Sequence, residues 1–138
     1  MFKVLSTTLI ALTLLSADAM EGEKIFDAKC ASCHVKMITK KETLKRIKEM
    51  KAPPMIEVSN QLKRNIKIVD DIDDEMHRAV VVAFIKDYAI RPHLDKSMCN
   101  GGALDRFGLM PSQKGKISDD ELDTVAQWVY DYYEGKKF

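Results

Sequence analysis

An all-α fold follows from three features of this 138-residue sequence. Apolar residues recur at three- and four-residue spacing in several separate segments. Two of those segments open with a capping box. No segment alternates strongly enough to build a sheet, and no internal repeat or low-complexity tract interrupts the pattern.

The first element is a helix over residues 21–29, in which Gly22, Phe26 and Cys30 fall four apart on one face. Thr39 and Glu42 form a capping box ahead of Leu44 and Ile47, so a second helix starts there, and Pro53-Pro54 ends it. Val58, Leu62, Ile66 and Val69 then predict a short third helix within residues 52–69. Asp74 or its neighbour caps a fourth, amphipathic helix with a stripe of Met76, Val80, Phe84 and Tyr88, Val81 and Ile85 beside it, and Pro92 at its close. Residues 91–117, with Gly101-Gly102, Gly108, Pro111 and Gly115, read as a long loop of the kind that carries function. Ser118 and Glu121 open the last helix, through Leu122, Val125, Val129 and Tyr132, with Trp128 nearby.

Ahead of these elements, Lys3 precedes an apolar run over residues 4–15, followed by Ala17-Asp18-Ala19 and Met20. That is the pattern of a cleavable secretory leader over residues 1–19, too short for a comfortable membrane span. No Cys follows the cut to take a lipid anchor, and the alternative is an uncleaved N-terminal anchor. Residues 20–138 then form one small domain, expected to be periplasmic and free of the membrane.

Charge is balanced overall, 22 basic against 21 acidic residues, but not evenly spread. Residues 36–51 hold Lys36, Lys40, Lys41, Lys45, Arg46, Lys48 and Lys51 against Glu42 and Glu49. Asp70, Asp71, Asp73, Asp74 and Glu75 form an acidic block, and residues 118–134 carry six acids and no base. Such an asymmetry orients a molecule during diffusional encounter with a charged protein; the plain alternative is a set of solvated helix faces. Near-zero net charge gives no sign of nucleic-acid binding.

The chemistry-bearing motif is Cys30-Ala31-Ser32-Cys33-His34. Two thiols about one helical turn apart, followed at once by an imidazole, suit thioether attachment of one porphyrin with proximal ligation of its iron, a haem c. A thioredoxin-like pair uses the same Cys-x-x-Cys but needs a βαβ setting. A zinc site needs a second pair of ligands at short spacing, whereas His77, His93 and Cys99 stand singly. A covalent haem would supply apolar volume that a domain of this size lacks, and an exported chain fits, because bacteria attach haem c outside the cytoplasmic membrane.

With this motif, a helix leading into it, the Met110-Pro111 loop and the C-terminal helix, the sequence resembles class I c-type cytochromes, that is, monohaem cytochromes c, over nearly all of residues 20–138. The resemblance implies the cytochrome c fold, with helices wrapped around one covalently bound haem and the terminal helices crossing closely, a small residue against an aromatic one. Gly22 and Phe26 against Trp128 would match. Met110 lies 76 positions after His34, farther than in the smallest members, and residues 52–55, Ala-Pro-Pro-Met, with the segment after them look like an insertion. That tetrapeptide and the Arg-Phe-Gly-Leu-Met-Pro of residues 106–111 are similar to periplasmic monohaem cytochromes of Campylobacterota.

The sixth iron ligand sets what the iron does. Met110 is the expected one: it lies in a glycine-containing loop and Pro111 stiffens the backbone presenting its thioether, which raises the potential relative to two imidazoles. Met55 is a rival because Pro53-Pro54 would stiffen it similarly; Met98 and His93 are weaker ones. Met76 reads as helix core, Met37 and Met50 as gap-fillers or surface residues, and His77 as a half-exposed helical residue. Cys99 is the odd thiol: a buried hydrophobe, half of an intermolecular disulfide, or a group near the iron.

The resemblance thus implies an electron carrier rather than an enzyme, with haem c held by Cys30, Cys33, His34 and Met110. It would take single electrons from a quinol-oxidising complex or dehydrogenase and pass them to an oxidase, peroxidase or reductase. Lys36, Lys40, Lys41 and Lys114 are the expected docking contacts. The alternatives are a haem subunit or enzyme acting on peroxide or a sulfur compound at an open or Cys99-ligated iron, and a module docked permanently through residues 52–69 and the acidic block.

Overall fold

The computed structural model describes residues 7–68 and 74–138. Six α-helices follow in order: α1 (Thr7–Lys29), α2 (Lys40–Arg46), α3 (Met55–Asn65), α4 (Asp74–Ile90), α5 (Gly101–Phe107) and α6 (Asp119–Tyr132). A 3-10 turn at Leu94–Lys96 lies between α4 and α5. There is no strand among the described residues, so the expected all-α class holds. Most of the expected leader is described as the start of α1, which runs without a break past residue 19. Residues 1–6 of the leader, together with Val69, Asp70, Asp71 and Asp73, lie outside the described residues.

The fold is organised by the crossing of α1 and α6. Gly22 makes that crossing close: a Cβ there would lie 2.4 Å from the Cβ of Trp128. Phe26, one turn on, is fully buried with its ring centroid 5.1 Å from that of Trp128. Each such aromatic contributes about 1.5–3 kcal/mol through burial, and the pair adds roughly 0.5–1.5 kcal/mol through ring contact. Ile25, Met55, Ile56, Val125, Val129 and Tyr133 complete this core.

The opposite side of α6 builds a second core. Ala126 and Tyr130 pack there with Leu62 and Ile66 at the end of α3 and with Val81 and Val82 of α4. Buried polar groups are matched across the helices. Ser59 Oγ donates to the Val129 carbonyl at 3.0 Å, and Tyr133 Oη donates to the Lys36 carbonyl at 2.8 Å. Among the described residues no buried side-chain nitrogen or oxygen lacks a partner, as a stable interior requires.

Four elements differ from expectation for identifiable reasons. In α2, Thr39 Oγ1 accepts from the Glu42 amide as a cap should. The helix ends at Arg46 rather than running to the prolines, and it buries Thr43 while Leu44 stays exposed. Pro53-Pro54 instead precedes α3, with Pro54 at the N-cap, where its fixed φ suits a helix start. In α4 the buried positions are Val81 and Val82, whereas Met76 and Val80 are exposed, so the expected stripe is rotated by about one residue. The long loop contains α5. Asn100 caps it by accepting from the Ala103 amide, and Gly108 ends it at φ +69°, a conformation glycine adopts without strain.

Candidate haem site

The attachment motif grows directly out of the last turn of α1. The amides of Cys30 and Ala31 both donate to the Phe26 carbonyl, at 2.8 and 3.0 Å. The amides of Cys33 and His34 then donate to the Cys30 carbonyl, at 3.1 and 3.0 Å. The chain therefore coils tightly through the motif and carries both thiols and the imidazole on one short arc. Both cysteines are free thiols and half-buried, and Cys30 rests against the core formed by α1 and α6.

Burial, and secondarily the neighbouring Cys33, pushes the Cys30 thiol up to about 11. A thiol–disulfide exchange site needs the reverse, a thiol lowered toward neutrality by positive charge or a helix N-terminus. The thioredoxin-like alternative is thereby disfavoured. No group of three or more His, Cys, Asp or Glu side chains suited to a metal ion occurs among the described residues.

His34 is oriented by a backbone group that side-chain motifs do not reveal. Its Nδ1 lies 2.8 Å from the Pro53 carbonyl oxygen. A carbonyl can only accept, so the proton sits on Nδ1 and the Nε2 lone pair is left for a metal. Burial lowers the His34 pKa, with the Pro53 contact partly opposing, which keeps the imidazole neutral as a ligand must be. The adjacent Met55 amide donates to the Val35 carbonyl at 2.9 Å, tying the start of α3 to the segment after the motif. Residues 52–55, expected as part of an insertion, thus buttress the imidazole.

Most of the rival side chains are engaged elsewhere. Met55 is buried in the core between α1 and α6. His77 bridges two elements, with Nδ1 3.0 Å from Tyr130 Oη and Nε2 3.0 Å from the Ile66 carbonyl. His93 is exposed and caps the 3-10 turn, its Nδ1 accepting from the Asp95 amide. Met98 is half-buried against the second core, and its carbonyl accepts from Gln61 and Asn65. Cys99 is a half-buried free thiol whose amide donates to Ser97 Oγ just ahead of α5.

Met110 is half-buried, on a loop that begins after Gly108. Two anchors follow it. Ser112 Oγ donates to the Ile90 carbonyl at 2.6 Å, and the Gln113 amide to the Ala89 carbonyl at 2.9 Å, both at the C-terminus of α4. Farther on, Lys29 Nζ donates to the Lys116 carbonyl at 3.0 Å and pairs with Glu121 at 3.6 Å. Lys29 directly precedes Cys30, so the loop after Met110 is tied to the residue next to the attachment motif. Arg106 of α5 donates to the carbonyls of Ile47 and Lys48, strapping the same stretch to the end of α2. None of these anchors was evident in the sequence, because most of their acceptors are backbone carbonyls.

The chain matches the Cytochrome c family over residues 19–131. It belongs to that family. This cytochrome is similar to an uncharacterised protein of Aquifex aeolicus (strain VF5), 28% identical over 145 residues covering 97% of this chain and 90% of that protein. It is also similar to a cytochrome c6 of Leptolyngbya boryana, 31% identical over 121 residues covering 86% of this chain and 96% of the relative. No solved structure matches it. The narrower likeness to Campylobacterota cytochromes is not supported by these relatives. The class I assignment and the all-helical fold are borne out by the family match and the cytochrome c6 relative.

Membership implies a covalent haem c, and the donor set fits one. Cys30 and Cys33 are free thiols on one arc, and His34, its Nδ1 held by the Pro53 carbonyl, would have Nε2 free to ligate. Haem c supplies a one-electron Fe(II)/Fe(III) couple when bound. The protein is accordingly a haem electron carrier.

Proposed function

We propose that this cytochrome is a periplasmic shuttle that carries single electrons between respiratory proteins, with Cys30 and Cys33 attaching the haem and His34 and Met110 as axial ligands. The observation that carries the ligand assignment is the fate of the alternatives. Met55 packs in the core, His77 is engaged through both ring nitrogens, and His93 caps an exposed turn. Met110 is left on a loop tied to Lys29, beside Cys30.

Held by the His34 imidazole and the Met110 thioether, the iron would favour the ferrous state and would offer no position to a substrate, which suits exchange of electrons rather than enzymatic chemistry. Removal of residues 1–19 as an export leader is consistent with the exposure of residues 18–21 and with a core that begins at Gly22. No helix among the described residues is long and apolar enough to cross a membrane.

Donor and acceptor, a quinol-oxidising complex or dehydrogenase on one side and an oxidase, peroxidase or reductase on the other, would dock briefly through charge. Lys40, Lys41 and Lys114 are exposed and available for that role. Lys36 is not: its ammonium is held between Glu23, at 2.8 Å, and Asp27, at 2.9 Å. Met110→Ala should abolish the weak far-red absorption of a thioether-ligated ferric haem and admit carbon monoxide to the ferrous protein. Retention of that band in Met110→Ala would refute the ligand assignment.

A further inference from the structure

The C-terminus of α4 and the segment after Met110 solve each other's hydrogen-bonding problem. A helix leaves its last carbonyls without intrahelical donors. Here two of them, on Ala89 and Ile90, accept from Gln113 and Ser112 respectively. Ser112 does more than donate. Its hydroxyl oxygen also accepts from the Lys114 amide at 3.2 Å, while Gln113 Nε2 donates to the Pro111 carbonyl at 2.7 Å and the Lys116 amide to the Gln113 carbonyl at 2.9 Å. One hydroxyl therefore joins the end of a long helix to a tight turn that starts two residues beyond Met110.

We infer that Ser112 is a positioning residue for the axial thioether, using the end of α4 as a fixed post against which the Met110 loop is held. The inference rests on the proposed ligation by Met110. Leu109 is exposed, and among the described residues restraint on the N-terminal side of Met110 comes from α5, its Gly108 cap and the Arg106 strap. Proline at 111 stiffens the backbone on the other side, and Ser112 is the first residue beyond it that grips another element. Loss of the hydroxyl frees both the Ile90 carbonyl and the Lys114 amide to find water, and the loop gains freedom to swing the thioether away.

The test uses the haem-loaded protein and three variants: Ser112→Val, Ser112→Thr, which keeps the hydroxyl at nearly the volume of valine, and Met110→Ala. The readouts are the far-red thioether band and the rate at which exogenous imidazole displaces the ligand from the ferric protein. We expect Ser112→Val to exchange about five-fold faster than the parent, in line with one lost hydrogen bond, and Ser112→Thr to match the parent. Parent-like exchange in Ser112→Val, or equally fast exchange in Ser112→Thr, overturns the positioning role while Met110 ligation stands. Persistence of the band in Met110→Ala removes the ligation itself, and the positioning role with it.

Discussion

At Gly22 two effects of a single methyl group oppose each other. Alanine is favoured over glycine within a helix by about 1 kcal/mol, yet its Cβ would lie 2.4 Å from that of Trp128. The obstacle is the root of a buried indole rather than a flexible tip, so the terminal helices must separate to admit it. Overpacking of this kind costs about 1–3 kcal/mol. Gly22→Ala should therefore lower the stability of the loaded protein in denaturant titrations; an increase would mean that helix propensity governs the crossing. Gly22, Phe26 and Trp128 were legible in the sequence because their side chains, or the lack of one, carry the contact. The same holds for the two thiols and the imidazole. The Pro53 carbonyl that orients His34 was not legible, since every residue has a carbonyl and only the folded path decides which one arrives.

For the elements, caps were more informative than apolar stripes. The Ser118–Glu121 box forms in full, with Ser118 Oγ accepting from the Glu121 amide at 3.2 Å and Glu121 Oε2 from the Ser118 amide at 2.9 Å. Ser118→Ala should cost about 1 kcal/mol, read as a lowered denaturation midpoint; no change would mean that burial of Trp128 and its neighbours fixes α6 unaided. α5 was missed because Gly101-Gly102 reads as a breaker, whereas Asn100 supplies a cap strong enough to start a short helix there. The stripe predicted for α4 is displaced rather than lost, since Val81, Phe84 and Ile85 do pack on the second core. Periodicity locates an apolar face only to within about a residue, and the partner elements at Leu62, Ile66 and Tyr130 select Val81 and Val82.

Across the whole molecule, charge that looked segregated in the sequence is partly paired in the fold. Of the acids in residues 118–134, Glu121 pairs with Lys29, Asp123 with Lys86 at 2.5 Å, Asp131 with Arg78 at 2.6 Å and Glu134 with Lys63. The basic residues of α2 remain exposed. Charge reversal at Lys40 and Lys41 together should slow association with an acidic partner at low ionic strength and flatten its salt dependence; unchanged kinetics would make the segment a solvated face.

These pairs, and those of Asp87 with Arg91 at 2.5 Å and Lys96 at 2.7 Å, fix a response to acid. Lys86 lowers the Asp123 pKa, hydrogen bonds from Lys96 and Arg91 lower that of Asp87, and the Ser118 amide, aided by Lys29, lowers that of Glu121. In each case the unfolded chain takes up protons at a higher pH than the native one. Stability from these groups is present above the ordinary carboxylate range, near pH 4, and is lost as the pH falls through their lowered native values. Thermal midpoints measured downward from pH 5 should decline, and Asp123→Asn should decline less steeply; equal slopes would exclude the pair as a contributor.

The crossing of α1 by α6 also has a consequence for biosynthesis. The arc bearing Cys30 and Cys33 is among the earliest parts of the chain to be made, yet its backing, Trp128 and Val129, is among the last. Until translation is nearly complete, that arc is backed only by the parts of the core from α1 and α3, and any truncation before α6 removes Trp128 and Val129 from it permanently.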